Sequence, residues 1–223
     1  MSLLEFDRVS MTFGEAPAAR QVLTDVSLHV ASGQALALMG TSGSGKTTLL
    51  NLAAGLARPT VGAVRLLGQK TSSTSEAALA RRRGQAVGFV FQALNLLATL
   101  TAAENIELPM ILNRFPRADR VARVTELLSR AGLAEKADAL PASLSAGEQQ
   151  RIAVLRAVAH RPQLVLMDEP TSCLDSDNSR ALMDLVMEMN VTERTAVVMA
   201  THDPHMAAIF SNVLRLCDGA ITA

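Results

Sequence analysis

The run Gly40-Thr-Ser-Gly-Ser-Gly-Lys-Thr-Thr48 restricts this chain more than any other feature, because it joins the apolar segment Ala35 to Met39 to the helical spacing of Lys46 to Leu56. A strand, a glycine-rich turn and a helix in that order make a loop that holds phosphate. Glycines let the backbone curl until successive N–H groups face one anion, and the helix N-terminus adds a favourable dipole. In such a loop Lys46 reaches the β and γ oxygens of a nucleoside triphosphate and Thr47 ligates Mg²⁺. Gly40, Thr41, Ser42, Gly43, Ser44, Gly45 and Thr48 complete the cradle. The bare spacing arises by accident in about one chain in a hundred of this length. The flanking strand and helix therefore carry the reading.

A loop of this kind leaves kinases, GTPases, recombinases and transport ATPases open. Leu164-Val-Leu-Met-Asp-Glu169 narrows the choice: an apolar strand ends in two acids. Asp168 is expected at the carboxyl end of the sheet, beside the phosphate loop, holding the Mg²⁺ shell. Glu169, one residue further on, suits activation of a water as general base, whereas a kinase needs room for an acceptor hydroxyl.

Short apolar runs recur at Val26 to Val30, Val64 to Leu67, Val87 to Phe91, Ala196 to Ala200 and Val213 to Leu216. They alternate with helical patterns over Arg117 to Ala131, Gly147 to His160 and Ser176 to Met189. This predicts an α/β fold with a mostly parallel sheet. The first thirty or so residues and Gly62 to Gly68 have shorter, alternating patterns that predict a small antiparallel β subdomain. Residues 93–159 offer helices and no convincing strand, which reads as a helical subdomain inserted in a core of residues 1–92 and 160–223. Ser75 is placed as the N-cap of a helix over Glu76 to Arg83.

Lys plus Arg total 21 against 21 Asp plus Glu. No global positive field exists to draw nucleic acid or anionic lipid, so partners must be recognised locally. No apolar run approaches the length of a membrane span, and Met1 to Asp7 carries acids rather than a basic, apolar leader. The expectation is a cytoplasmic protein without nucleic-acid partners. Cys173 and Cys217 have no metal-type spacing and read as buried thiols. His29, His160 and His205 lack ligand-spaced companions and read as solvated or capping side chains. Arg81 to Arg83 read as a solvated helix face, and Met183, Met187 and Met189 as core.

Further segments resemble the nucleotide-binding subunit of ABC transporters. Leu144-Ser-Ala-Gly-Glu-Gln-Gln-Arg151 looks like the family's signature segment, Gln92 like its Q-loop, Ser172-Cys-Leu-Asp175 like its D-loop, and His202 like its switch histidine. Phe13 is placed like the aromatic residue that stacks on adenine. The resemblance covers essentially the whole chain and implies the ABC ATPase fold with ATP and Mg²⁺ as its cofactors. It implies that Ser145, Ala146 and Gly147 bind the γ-phosphate of ATP held by a second, facing subunit, and that Asp175 seats that neighbour's phosphate loop. His202 would hold the γ-phosphate and water in line, and Gln92 would sense Mg²⁺ and that water. Ala146 replaces the first signature glycine, Glu148 replaces a glutamine, and Phe13 replaces the commoner tyrosine.

Gly88 to Asn105 is similar to the corresponding stretch of the lipoprotein-release, macrolide-export and cell-division ATPases. That likeness implies a homodimer on the cytoplasmic face of the inner membrane. The dimer would touch the membrane only through an integral permease docked in the groove near Gln92 to Thr101. With the chain closing at Ala223 after its last strand, no fused permease or regulatory domain is expected. A soluble, non-transport ABC ATPase and an idle nucleotide-dependent regulator are the alternatives; the first lacks coiled-coil arms or zinc cysteines here, and Glu169 and His202 oppose the second.

Overall fold

The computed structural model describes residues 2–15 and 17–222; Met1, Ala16 and Ala223, which the segments read from the sequence include, lie outside the described residues. The chain begins with an antiparallel pair, β1 (Ser2–Phe13) and β2 (Arg20–Ala31), and then enters β3 (Ala35–Met39) and α1 (Lys46–Ala53). β4 (Val61–Leu66) and β5 (Gln69–Lys70) return to the first pair, giving a four-stranded sheet in the order β2-β1-β4-β5. α2 (Glu76–Ala86) runs into β6 (Val87–Val90). Between residues 93 and 159 come α3 (Ala102–Leu112), α4 (Arg117–Arg130) and α5 (Ala146–Val158), and no strand. β7 (Leu164–Asp168), α6 (Ser176–Thr192), β8 (Ala196–Thr201), α7 (Pro204–Ala207), β9 (Asn212–Cys217) and β10 (Ala220–Thr222) complete the described chain. The second sheet is ordered β10-β9-β3-β8-β7-β6, and every pairing in it is parallel except the β9–β10 hairpin.

The central strands are apolar on both faces because both faces are covered. Ala35, Ala37, Val165, Met167, Val197 and Met199 pack against the helices α3, α5 and α6. Their alternates Leu36, Leu38, Leu164, Leu166, Val198 and Ala200 pack against α1 and the antiparallel sheet. Each fully buried leucine among them contributes roughly 1.5 to 3 kcal/mol. A slip of one residue would exchange the two sets, so this pattern fixes the register that carries the loops at the strand ends.

Local chemistry sets the helix starts. Ser75 accepts from the Ala78 N–H at 3.4 Å, as its sequence position suggests. Thr101 and Glu104 form a reciprocal capping box at α3. Fully buried Asn105 organises the loop before that helix. Its Oδ1 accepts from the Leu97 N–H at 2.9 Å, and its Nδ2 donates to the carbonyls of Leu97, Leu100 and Thr101 at 3.0 to 3.1 Å. Gly88 in β6 faces α5 so closely that a Cβ there would overlap the Ala157 carbonyl.

Three readings need correction. Cys173 and Cys217 are exposed rather than buried: the first sits in the loop before α6, and the second closes β9 with its side chain on the outer face. His160 is neither solvated nor a cap. It is buried just beyond α5, with no hydrogen-bond partner for either ring nitrogen among the described residues, and desolvation pushes its pKa down to about 4, the Val87 backbone opposing. Met183 and Met189 are buried and Met187 is half-buried, as expected. β1, at 12 residues, did not stand out because its pairing with β2 shifts register between Phe6 and Val9, where Arg8 adopts a φ of 46°. The bulge breaks the period-two signal.

Candidate functional site

One open cavity of about 700 Å³ lies at the carboxyl ends of β3 and β7 and the N-terminus of α1. Its floor is the glycine-rich loop. Gly43 and Gly45 have φ of 80° and 105°, the left-handed conformation that turns the loop N–H groups inward. Gly45 has a second constraint, since a Cβ there would come within 3.0 Å of the Val22 carbonyl on β2. Buried Lys46 donates from Nζ to the carbonyls of Gly40 and Thr41 at 2.7 and 3.0 Å, so the loop curls around its own lysine. Ser44 is buried, and its hydroxyl has no partner among the described residues.

The acids meet this loop from β7. Thr47 Oγ1 donates to Asp168 Oδ2 at 2.7 Å. Burial pushes the Asp168 carboxyl above the usual range, the Thr47 hydrogen bond opposes that rise, the Glu169 charge adds to it and Lys46 lowers it again. Glu169 follows with φ 51°, a strained left-handed conformation for a glutamate, held by its N–H to the Ala200 carbonyl at 3.0 Å. Its carboxylate lies between Lys46 Nζ at 3.7 Å and His202 Nδ1 at 2.9 Å. Gln92 and Ser172 line the same cavity.

Mg²⁺ prefers oxygen ligands, few of them from protein and the rest from water and phosphate. The Thr47 hydroxyl and the Asp168 carboxylate are oxygens already side by side. The residues present fit Mg²⁺.

The remaining expected site residues lie elsewhere on the chain. Phe13 ends β1 half exposed, outside the cavity, opposite Arg20 on β2. Ser145 and Ala146 are exposed at the start of α5. There the Ser145 hydroxyl accepts from the Glu148 N–H at 3.3 Å and the Glu148 carboxylate accepts from the Ser145 N–H at 2.8 Å, which holds the Glu148 carboxyl below its usual range. Gly147 packs against the loop before α6; a Cβ on it would lie 3.1 Å from Leu174. Asp175 caps α6 by accepting from the Asn178 N–H at 2.8 Å and side chain at 2.7 Å, which lowers its pKa. Arg151 of α5 donates to the Asn178 side-chain oxygen, so α5 and the first turn of α6 are tied within one chain.

Sequence reasoning passed over Arg156. From α5 its guanidinium donates to the carbonyls of Leu94 and Asn95 at 2.7 and 2.6 Å, fixing two left-handed residues just after Gln92. Burial lowers its pKa. An arginine amid the apolar face of a predicted helix was the available signal. Arg20 and Val22, which wall the cavity from β2, had none.

The sequence profile of the ABC transporter family matches residues 23–172. This chain belongs to the ABC transporter family. As an ABC cassette it is an ATP-binding, ATP-hydrolysing protein. It is 40% identical over 222 residues to the lipoprotein-releasing system ATP-binding protein LolD of Pseudomonas fluorescens, covering 100% of this chain and 98% of that one. It is 38% identical over 221 residues to the macrolide export ATP-binding/permease protein MacB of Aggregatibacter actinomycetemcomitans, covering 99% of this cassette but 34% of MacB. Among solved structures, the dimeric ATP-binding cassette MJ0796 in a post-hydrolysis state with ADP and Pi superposes with a TM-score of 0.93. Sequence identity there is 35%, and 99% of this cassette and 97% of that chain are covered. A further dimeric structure of that bacterial ABC transporter cassette matches equally well. No helix among the described residues is long and apolar enough to cross a membrane.

Proposed function

We propose that the cassette is the energy-supplying subunit of an export, lipoprotein-release or mechanotransmission complex, closing head to tail as a homodimer over two ATP and driving a separate membrane permease from the cytoplasmic face of the inner membrane. The observation that carries this reading is the meeting of Lys46, Thr47, Asp168, Glu169 and His202 around one cavity. Loop N–H groups and Lys46 hold the β- and γ-phosphates, with Ser42 and Ser44 lining the turn and Thr48 at its helical end. Thr47 and Asp168 would hold Mg²⁺, with Gln92 lining the same cavity, and the bound metal would draw charge from the phosphate oxygens.

Glu169 accepts a proton from water as the water oxygen attacks the γ-phosphorus, and the bond to the bridging oxygen breaks to release ADP and phosphate. His202, paired with Glu169, keeps the water and γ-phosphate in line. Phe13 stacks on adenine. Ser145 and Ala146 are exposed, with Gly147 beside them against the loop before α6, where a second copy can bring its nucleotide, and the facing Asp175 loop seats beside that copy's phosphate loop. Residues 93–159 act as the helical part that answers to Gln92, within a core of residues 1–92 and 160–223, and the segment Gln92 to Thr101 receives the permease.

The likeness to LolD and to the permease-fused MacB supports this reading, as does the dimeric state of the MJ0796 cassette. The test is Glu169→Gln with saturating ATP and Mg²⁺: a dimer by light scattering is expected, and Lys46→Ala should bind no nucleotide. A Glu169→Gln protein that stays monomeric would overturn the head-to-tail arrangement.

A further inference from the structure

We infer that Arg20 is a nucleotide-binding residue, laying its guanidinium along the ribose and α-phosphate of the bound nucleotide; the inference rests on the ATP reading above. Arg20 opens β2 and walls the cavity together with Val22. The β1–β2 register shifts between them, from Met11 opposite Leu23 to Thr12 opposite Gln21, so simple alternation does not place them; both nonetheless form one lining face of this cavity. The Val22 end of that face is fixed against the phosphate loop: a Cβ on Gly45 would lie 3.5 Å from Val22 Cγ1. Arg20 continues the same wall outward, away from the end where Lys46 is curled into the loop.

Charge gives the second reason. The carboxylates of Asp168 and Glu169 line the cavity and oppose entry of a polyanion, and Lys46 and Arg20 are the lysine and arginine side chains that line it. Lys46 serves the β/γ end, which leaves the α-phosphate end to Arg20. Its guanidinium is exposed and makes no ion pair or hydrogen bond among the described residues, so nothing in the fold employs it. Its direct cross-strand partner is Phe13, and opposed residues in an antiparallel pair present side chains on one face. Phe13 alone is 48% exposed and outside the cavity. Ring and guanidinium side by side make a composite surface, the ring for the base and the planar fork for the sugar and α-phosphate.

Equilibrium binding of Mg-ATP and Mg-ADP to wild type, Arg20→Gln and Arg20→Lys tests this. Loss of one charge-assisted hydrogen bond should weaken Arg20→Gln about tenfold for both nucleotides. The two should weaken equally because they share the α-phosphate, and Arg20→Lys should recover part of the loss. Affinity unchanged in Arg20→Gln, or lost for ATP alone, would overturn the assignment. Wild type that binds no ATP would sink the ATP reading and this inference together. Wild type that binds ATP, beside an Arg20→Gln that binds as tightly, sinks the Arg20 assignment only.

Discussion

His202 Nδ1 and Glu169 Oε2 stand 2.9 Å apart across 33 residues of sequence. Parallel pairing explains the distance: Asp168 on β7 registers with Ala200 on β8, so the residues just past the two strand ends emerge together. If they act as a unit, their losses cannot add. Glu169→Gln and His202→Ala should each lower ATP turnover by about 10² or more, and the double variant should fall no further than the worse single one. Steady-state phosphate release decides; multiplicative losses would mean separate roles.

The Thr47 and Asp168 oxygens give the second expectation. Thr47→Val and Asp168→Asn keep the shape of the loop and each alter an oxygen proposed to hold Mg²⁺. Both should raise the Mg²⁺ concentration needed for half-maximal turnover at least about tenfold, while metal-free nucleotide binding changes little. A magnesium titration of ATPase activity measures this, and an unshifted midpoint would remove the pair from the metal site.

His160 predicts a pH effect on stability. Its folded pKa is about 4 against an ordinary 6.5, so the folded state keeps it neutral. As pH falls below about 6.5 the unfolded chain takes up a proton that the folded chain refuses. Stability is lost progressively until about pH 4, by about 3 kcal/mol in total. His160→Leu should abolish this share of the acid sensitivity. Urea midpoints between pH 7 and 4.5 that run parallel in the two proteins would contradict it.

Gly88 tests the contact between β6 and α5. Gly88→Ala pushes a methyl group into the Ala157 carbonyl, which is backbone and cannot swing aside. The cost should reach about 3 kcal/mol, the upper range of overpacking, lowering the melting temperature by about 6 to 12 °C for a chain of this size. A calorimetric scan within 2 °C of wild type, on an order-of-magnitude basis, would mean the strand has room to move.

The glycine-rich loop, the acids that meet it and the parallel core were legible because each obeys a local rule: glycine spacing, an apolar run ended by acids, and alternation of strand with helix. Ser75 and the starts of α1, α4 and α6 were legible for the same reason, whereas α3 behind its Thr101 cap was not read from the sequence. What stayed hidden depends on through-space partners. The bulged β1 lost its alternation at Arg8, His160 looked like any residue past a helix, and Cys217 could not show which face of β9 it would occupy. Arg156 and Arg20 acquire meaning only when the loop at Leu94 and the wall of the cavity are assembled. Ser145 and Asp175 were found as motif members, yet their capping bonds within the chain emerge only from the coordinates.

Asn105 has a wider consequence. One interior side chain dictates the path of residues 97–101 through four hydrogen bonds, so the outward side chains there, Leu97 and its neighbours, carry little of the burden of keeping the segment in shape. Natural drift can rewrite that outer lettering while the scaffold underneath stays put. If this segment receives the permease as proposed, a cassette so constructed can be re-matched to a new membrane mate by a few surface exchanges, leaving the engine behind it untouched.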